Sequence, residues 1–323
     1  MADVLVLGGT AWLGREVARQ AAQAGHAVTC LARGESGPVP DGVRSVRTDR
    51  GESGAYQEVQ QDWDLVVDVT RQPGHARDAV AALGSRSRRW TLISTANVYA
   101  DLSIPLHEDA ALRDPLDQDV STPETYGEGK VACEQAVTAL PHHLVLRAGL
   151  IVGPGDPSDR GGYWVSRFAL AGDEPVLVPD LPGASAQVVD VRDVAAFVLG
   201  ASLAGVQGVM NVAGNELDLA DFVARSAEVA RHTGTQVPVA GGWLTAHDVQ
   251  PWTGERSLPL WLPEGFAGMC RMSTARARTA GLRPRSLRES LEDVLADEQA
   301  RGLERSRKAG LERADELDLL ARV

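Results

Sequence analysis

The stretch from Asp3 to Gly25 constrains this chain most. Val4-Leu5-Val6-Leu7 is a short apolar run of mostly branched residues and reads as a buried strand. Gly8-Gly9-Thr10-Ala11-Trp12-Leu13-Gly14 follows at once as a tight turn. Leu13, Val17, Ala18, Ala21 and Ala24 then share one helical face, and Gly25 ends the helix. Strand, glycine turn and helix in this order make a phosphate site. N–H groups point out of the helix start, and glycine lets a pyrophosphate come close. The spacing Gly8-x-x-Ala11-x-x-Gly14 puts Ala at the middle position of the three-glycine fingerprint. A glycine turn by itself also fits an ordinary strand-to-helix connection.

Strands and helices alternate onward. Ala27 to Ala32 reads as a second strand ending at Arg33-Gly34. At that place in a dinucleotide-binding unit an acid holds the ribose 2′-hydroxyl of NAD, whereas an arginine accommodates the 2′-phosphate of NADP. Arg33 therefore points to NADP, the other reading being a solvated loop arginine. Val43 to Thr48 is a third strand, followed by Asp49-Arg50. A carboxylate there either accepts from an adenine amino group or forms a turn. Trp63 to Val69 is a fourth strand, with Val69-Thr70 at its carboxyl end, where ligands of open parallel sheets bind. Pro73 to Leu83 is a helix closed by Gly84. Trp90 to Ile93 is a fifth strand, and Ser94-Thr95-Ala96-Asn97-Val98-Tyr99 leaves its end.

A long polar loop follows. Ser121-Thr122-Pro123 then reads as a helix start, with a hydroxyl cap and a first-turn proline. That helix carries Tyr126-Gly127-Glu128-Gly129-Lys130. Residues four apart lie on one face, so phenol and ammonium can converge on one ligand. Four tyrosines and two lysines would give such a pair by chance only about 2–3% of the time. A helical surface pair is the alternative.

Later segments are less specific. His143 to Arg147 is a sixth strand, and the Gly-Pro-Gly-Asp stretch after it leads to a loop with Tyr163 and Trp164. Gln187 to Asp190 and a helix from Asp193 to Leu203 are expected to return to the sheet domain, with Val209 to Val212 a late strand. Leu219 to His232 reads as a helix capped by Asp218, and Gly241 to Pro263, with Trp243, Trp252 and Trp261, as irregular lobe structure. Ser286 to Leu303 and the charged C-terminal stretch read as helices. The expected class is α/β, a Rossmann doubly wound parallel sheet with a smaller C-terminal substrate lobe. Residues 1–150 would form the dinucleotide-binding domain, with 185–212 returning to it. Residues 151–184 and 213–323 would form the substrate lobe and C-terminal helices.

Composition removes other classes. At 323 residues, 44% hydrophobic and 24% charged, the chain suits one large or two modest domains. No apolar run is long enough for a span, and Asp3 lies where a signal peptide carries positive charge. A net charge of −12 argues against nucleic acid or anionic membrane as partner, and the Arg86, Arg88, Arg89 run reads as a solvated edge. Cys30, Cys133 and Cys270 are odd in number and far apart, which suggests neither disulfides nor a metal site and fits a reducing cytoplasm. Lys130 and Lys308 are the only lysines, so arginine carries nearly all the positive charge, as in a GC-rich bacterial genome. The expected partner is a small-molecule substrate, and the protein a monomer or homodimer.

These motifs in this order resemble the extended short-chain dehydrogenase/reductases of the NAD(P)-dependent epimerase/dehydratase group, in particular its bacterial reductase-like branch. The resemblance rests on Gly8 to Gly14, Ser94 to Tyr99, Tyr126-x-x-x-Lys130, Arg147-Ala148-Gly149-Leu150-Ile151-Val152-Gly153-Pro154-Gly155 and Val189-Asp190-Val191-Arg192-Asp193-Val194-Ala195. Ala11 and Ala148, where the family favours glycine and proline, remove no catalytic side chain. The resemblance implies that Thr95, Tyr126 and Lys130 are catalytic, with Ser94 as the fallback for Thr95. It implies cofactor contacts from Gly8, Thr10, Ala11, Trp12, Leu13, Gly14, Arg33, Asp49, Arg50, Val69, Thr70, Tyr126, Lys130 and Gly149. It places Asn97, Val98, Tyr163 and Trp164 on the substrate side, the two aromatics being core residues otherwise.

The chemistry follows. Reducing a carbonyl needs a hydride donor, which a nicotinamide supplies, and a proton donor at oxygen. Tyr126 would be that donor. A phenol near pKa 10 exchanges protons poorly at neutrality, and a nearby cation such as Lys130 favours phenolate. None of the seven histidines lies in a recognisable motif. The expected function is NADPH-dependent carbonyl reduction or alcohol oxidation on a small molecule, with NAD the less favoured cofactor. The alternatives are a sugar-nucleotide epimerase or dehydratase on the same scaffold and a non-catalytic NAD(P)-binding sensor. Intact Thr95, Tyr126 and Lys130 oppose the sensor. Family dehydratases carry an Asp-Glu pair after the catalytic threonine, and here Ala96-Asn97 follows Thr95, so elimination lacks its acid and base. Against epimerisation the argument is Arg33, because an NADP site fits net consumption and release of cofactor.

Overall fold

The computed structural model describes all residues, 1–323. Its first half lays down β1 (Asp3–Leu7), α1 (Trp12–Gln23), β2 (Ala27–Ala32), β3 (Arg44–Arg47), β4 (Leu65–Asp68), α2 (Pro73–Leu83), β5 (Trp90–Thr95), α3 (Tyr126–Thr138) and β6 (His143–Ala148). The second half adds β7 (Leu150–Val152), α4 (Tyr163–Ala171), β8 (Val176–Asp180), β9 (Ser185–Asp190), α5 (Val191–Leu203), β10 (Gly208–Val212), β11 (Glu216–Asp218), α6 (Leu219–Ala230) and β12 (Gln236–Ala240). Four helices close the chain: α7 (Gly241–Ala246), α8 (Ala275–Thr279), α9 (Leu287–Arg301) and α10 (Arg313–Leu320).

Seven parallel strands form the main sheet in the order β10-β6-β5-β4-β1-β2-β3. The order reverses at β1, which opens a crevice at the strands' carboxyl ends. Both faces are covered, so Val4 to Leu7 of β1 and Leu65 to Val67 of β4 are unbroken apolar runs rather than alternating. Val17, Ala18 and Ala21 of α1 share one core with Val194 and Val198 of α5. Ala76, Ala79 and Leu83 of α2 share the opposite core with Cys133 and Val137 of α3. The doubly wound parallel sheet expected from the sequence is what forms. No helix is long and apolar enough to cross a membrane.

The lobe has its own core, built from Trp164 and Phe168 of α4, Phe222 of α6 and Leu291 of α9. Three local expectations change. β9 does not return to the main sheet; it lies between β7 and β11 in a three-stranded sheet, and α5 and β10 alone make the return. Helix α3 begins at Tyr126 rather than at Ser121, whose hydroxyl instead donates to the Arg71 carbonyl at 2.9 Å. Asp218 precedes α6 without a side-chain cap bond.

Candidate active site

The crevice holds two cavities, side by side because their strands are. The first, about 440 Å³, lies over the carboxyl ends of β1 to β4 and is lined by Gly8, Thr10, Ala11, Arg33, Asp49, Arg50, Val69 and Thr70 among others. The second, about 590 Å³, lies over β5 and β6 and is lined by Trp12, Thr95, Asn97, Tyr126 and Gly149 among others. Most of the residues singled out in the sequence thus fall on two adjoining walls.

A dinucleotide fits the first cavity. Helix α1 starts at Trp12 with no side-chain cap and no acid in its first turn, so its leading N–H groups remain open to an anion. Gly14 sits against the turn: a Cβ there would lie 2.4 Å from the Gly8 carbonyl oxygen. The close packing of helix on turn that a pyrophosphate loop needs therefore requires glycine at 14. Leu13 faces the core beside α1 and lines neither cavity.

Two cofactor-side residues are differently engaged than expected. Arg50 is buried and gives its fork to Asp68, at 2.8 and 2.9 Å, with a further bond to the His75 carbonyl. Its guanidinium is a structural strut and is not free for a phosphate. Arg33 lies 2.9 Å from Glu35 and 3.9 Å from Asp49. Arg47 also reaches this corner, its Nε donating to the Arg33 carbonyl at 2.9 Å, so two cations face two carboxylates here and Arg33 is engaged in exposed ion pairs.

The second cavity holds the catalytic candidates. Thr95 ends β5, and its Oγ1 accepts from the N–H and Nδ2 of Asn97, both at 3.3 Å. With its lone pairs so engaged, the Thr95 hydroxyl proton is free to donate to a substrate oxygen. Tyr126 opens α3 and lines the same cavity. Arg113 ties the two together: its Nε donates to the Asn97 carbonyl at 2.9 Å and its Nη1 to Glu128 on α3 at 3.0 Å. Lys130, one turn along, is 2% exposed and donates to the carbonyls of Thr70 (2.7 Å) and Ile93. Two of its three N–H groups are thereby fixed, leaving one for a ligand hydroxyl.

Behind the site runs a buried polar network. Ser94 donates to Glu134 at 2.5 Å, and Glu134 takes the fork of Arg147, at 2.8 Å from Nη2. Arg147 stacks on Tyr99, whose hydroxyl donates to Asn211 at 2.6 Å. Ser94 is therefore occupied and is not a substitute for Thr95. Val98 is fully buried in a small core with Tyr99 and Leu106, not on the substrate side. Tyr163 and Trp164 are likewise core: they begin α4 with exposures of 1% and 0%, and the Trp164 indole donates to the Pro259 carbonyl at 2.8 Å.

The substrate-side wall comes instead from the preceding loop and from the lobe. Asp156, Ser158 and Arg160 form one side, and Trp252, Phe266 and Met269 the other. The loop is held from outside by the last residue of α9 and the segment after it. Asp159 accepts from Arg301 (3.3 Å), Arg305 (2.5 Å) and the Lys308 N–H (3.0 Å), and the Lys308 ammonium donates to the Pro157 carbonyl at 3.1 Å. Burial opposes the Asp159 charge, but the Arg305 bond and these other donors hold its carboxyl below the ordinary range.

This architecture, a dinucleotide-type sheet with a lobe closing over the carboxyl ends of β5 and β6, is the fold of the extended short-chain dehydrogenase/reductases. No protein-family model and no curated protein matches the chain. Solved structures match it nearly end to end. A candidate epimerase of Burkholderia cenocepacia J2315 superposes with a TM-score of 0.69 at 21% identity, covering 92% of this chain and 98% of that one. UDP-glucuronic acid 4-epimerase of Bacillus cereus, in complex with NAD, gives 0.67 at 16%, covering 93% and 100%. UDP-N-acetylglucosamine 4-epimerase of Methanobrevibacter ruminantium M1, in complex with UDP-N-acetylmuramic acid, gives 0.68 at 14%, covering 93% and 99%.

Proposed function

We propose that the chain is an NAD-dependent epimerase of sugar nucleotides within the NAD(P)-dependent epimerase/dehydratase family. The observation that carries this reading is Thr95 and Tyr126 on one cavity wall, next to a cleft shaped for a dinucleotide. The choice of epimerase over reductase follows from Arg33. The reductase reading rested on an NADP site, and Glu35 and Asp49 flank that arginine. The likeness to NAD-bound sugar epimerases supports the same choice, as an analogy of fold.

In this reading the turn at Gly8, Thr10 and Ala11, together with Lys130, would hold a nicotinamide dinucleotide, which would supply reversible hydride acceptance at a carbinol carbon. Tyr126 takes the hydroxyl proton during oxidation and returns it to the same oxygen after the keto sugar has turned its other face toward the hydride. Thr95 donates to the same oxygen throughout, oriented by Asn97. Lys130 binds a ribose hydroxyl with its remaining N–H and keeps positive charge near the phenol. Proton and hydride both return, so no net oxidation occurs.

The test loads the protein with NAD and offers UDP-glucuronic acid, UDP-glucose and UDP-N-acetylglucosamine. Proton NMR should show inversion at one ring carbon while absorbance of reduced nicotinamide stays flat. Tyr126→Phe should keep NAD binding and lose about 10²–10⁴-fold in turnover. A second reading, net carbonyl reduction, is favoured by the apolar side of the cavity at Leu262, Pro263, Phe266 and Met269. Steady NADPH oxidation by a carbonyl compound, with no sugar inverted, would establish it instead.

A further inference from the structure

Arg160 is the only cation on the wall of the catalytic cavity. Its guanidinium has no partner. The Nε is buried without a hydrogen bond, and Asp156 and Tyr126 act on it only through space. The Asp156 carboxylate is already engaged by the Ser158 N–H (2.8 Å), the Ser158 hydroxyl (3.0 Å) and the Gly161 N–H (3.1 Å). What holds the guanidinium is the Trp252 ring, 4.5 Å away. The backbone on either side of this contact is left-handed: Trp252 has φ +72°, unusual for so bulky a residue, and Asp159, next to Arg160, has φ +60°. Left-handed backbone is unusual for such residues and persists where surrounding structure enforces it.

A half-buried guanidinium with no hydrogen-bonded carboxylate is unfavourable, whereas Arg301, Arg305 and Arg313 nearby each hold one. An incoming anion would resolve it. One guanidinium presents a planar fork that matches a single carboxylate bidentately. A diphosphate brings more charge than one cation balances, and the wall already carries the Asp156 carboxylate beside Arg160, the remainder being uncharged and largely apolar. Arg160 and Tyr126 line the same cavity, so the anion belongs to the reacting part of the substrate rather than to a distant end. We propose that Arg160 selects substrates whose sugar ring carries a carboxylate. This rests on the reading of the site as a sugar-nucleotide epimerase.

The experiment compares UDP-glucuronic acid with UDP-glucose on the NAD-loaded protein. The acid should be preferred by about 10²-fold in kcat/KM. Arg160→Gln should remove that preference, chiefly through KM on the acid, with a clearly smaller loss on UDP-glucose. Arg160→Lys should keep part of it, which guards against a variant that merely misfolds. An equal loss on both sugars, or no preference in the unmodified protein, overturns the proposal. So does weaker binding of UDP alone to Arg160→Gln, since that would place the diphosphate on Arg160. Calorimetry on Tyr126→Phe separates this from failure of the epimerase reading. If neither sugar is inverted yet the acid binds more tightly only when Arg160 is present, the epimerase reading falls and the carboxylate site stands. Equal affinity for the two sugars there sinks the carboxylate site.

Discussion

Ser94 and Thr95 are adjacent in sequence and opposite in use, because successive side chains of a strand point to opposite faces. Thr95→Val should cut turnover with little effect on folding. Ser94→Ala should do the reverse, costing about 1–3 kcal/mol by removing a donor from buried Glu134 while kcat/KM barely moves. Thermal melts and turnover on the two variants check this. A second residue-level prediction concerns Glu35. Glu35→Ala should free Arg33 and shift preference toward NADP by a few-fold, the scale of an exposed ion pair, as calorimetry with both cofactors would read. The sequence showed which residue types line the crevice, since Gly8, Thr95, Tyr126 and Lys130 come in a characteristic order. It did not show pairing. Arg33 and Arg50 are both at strand ends, and only their neighbours in space distinguish them: Arg50 is spent on buried Asp68, while Arg33 holds Glu35 in an exposed pair.

At the scale of elements, the first helix and its turn form one rigid part. Gly14→Ala would push a methyl into the Gly8 carbonyl, and overpacking of this kind costs about 1–3 kcal/mol. NAD affinity should fall together with the melting temperature, measured by calorimetry and thermal denaturation. Strand and helix identities in the sheet half were legible because apolar runs and glycine stops repeat regularly there. The lobe was harder to read. Trp164, Phe168 and Ala171 fall at helical spacing and bury in the lobe core, so Tyr163-Trp164 begins a helix rather than a substrate loop. The cavity residue of that region is Arg160, a polar residue in a polar loop, and its partner Trp252 comes from a segment whose tryptophans had no readable period.

The whole molecule is clamped across its two halves by carboxylates. Asp190 caps α5 through the Arg192 N–H at 2.9 Å, accepts the Arg192 fork and lies 3.7 Å from Arg285, while Arg192 also reaches Asp293 on α9 at 2.5 Å. Burial would raise the Asp190 carboxyl, but Arg192 and Arg285 hold it below the ordinary range. A carboxyl lowered in the folded state stabilises above its unfolded pKa, near 4, and that stability is lost as pH falls through the folded value. Melting temperature should therefore drop steeply below about pH 4. Asp190→Asn should lose about 3–5 kcal/mol at neutral pH and flatten that drop, as melts across a pH series would show. The clamp at Asp159 has another consequence. Of the two lysines, Lys130 is buried beneath the crevice and Lys308 is exposed, with its ammonium on the Pro157 carbonyl. Acylating reagents aimed at amines thus find a single reachable side chain, and it is one that ties down the loop carrying Arg160.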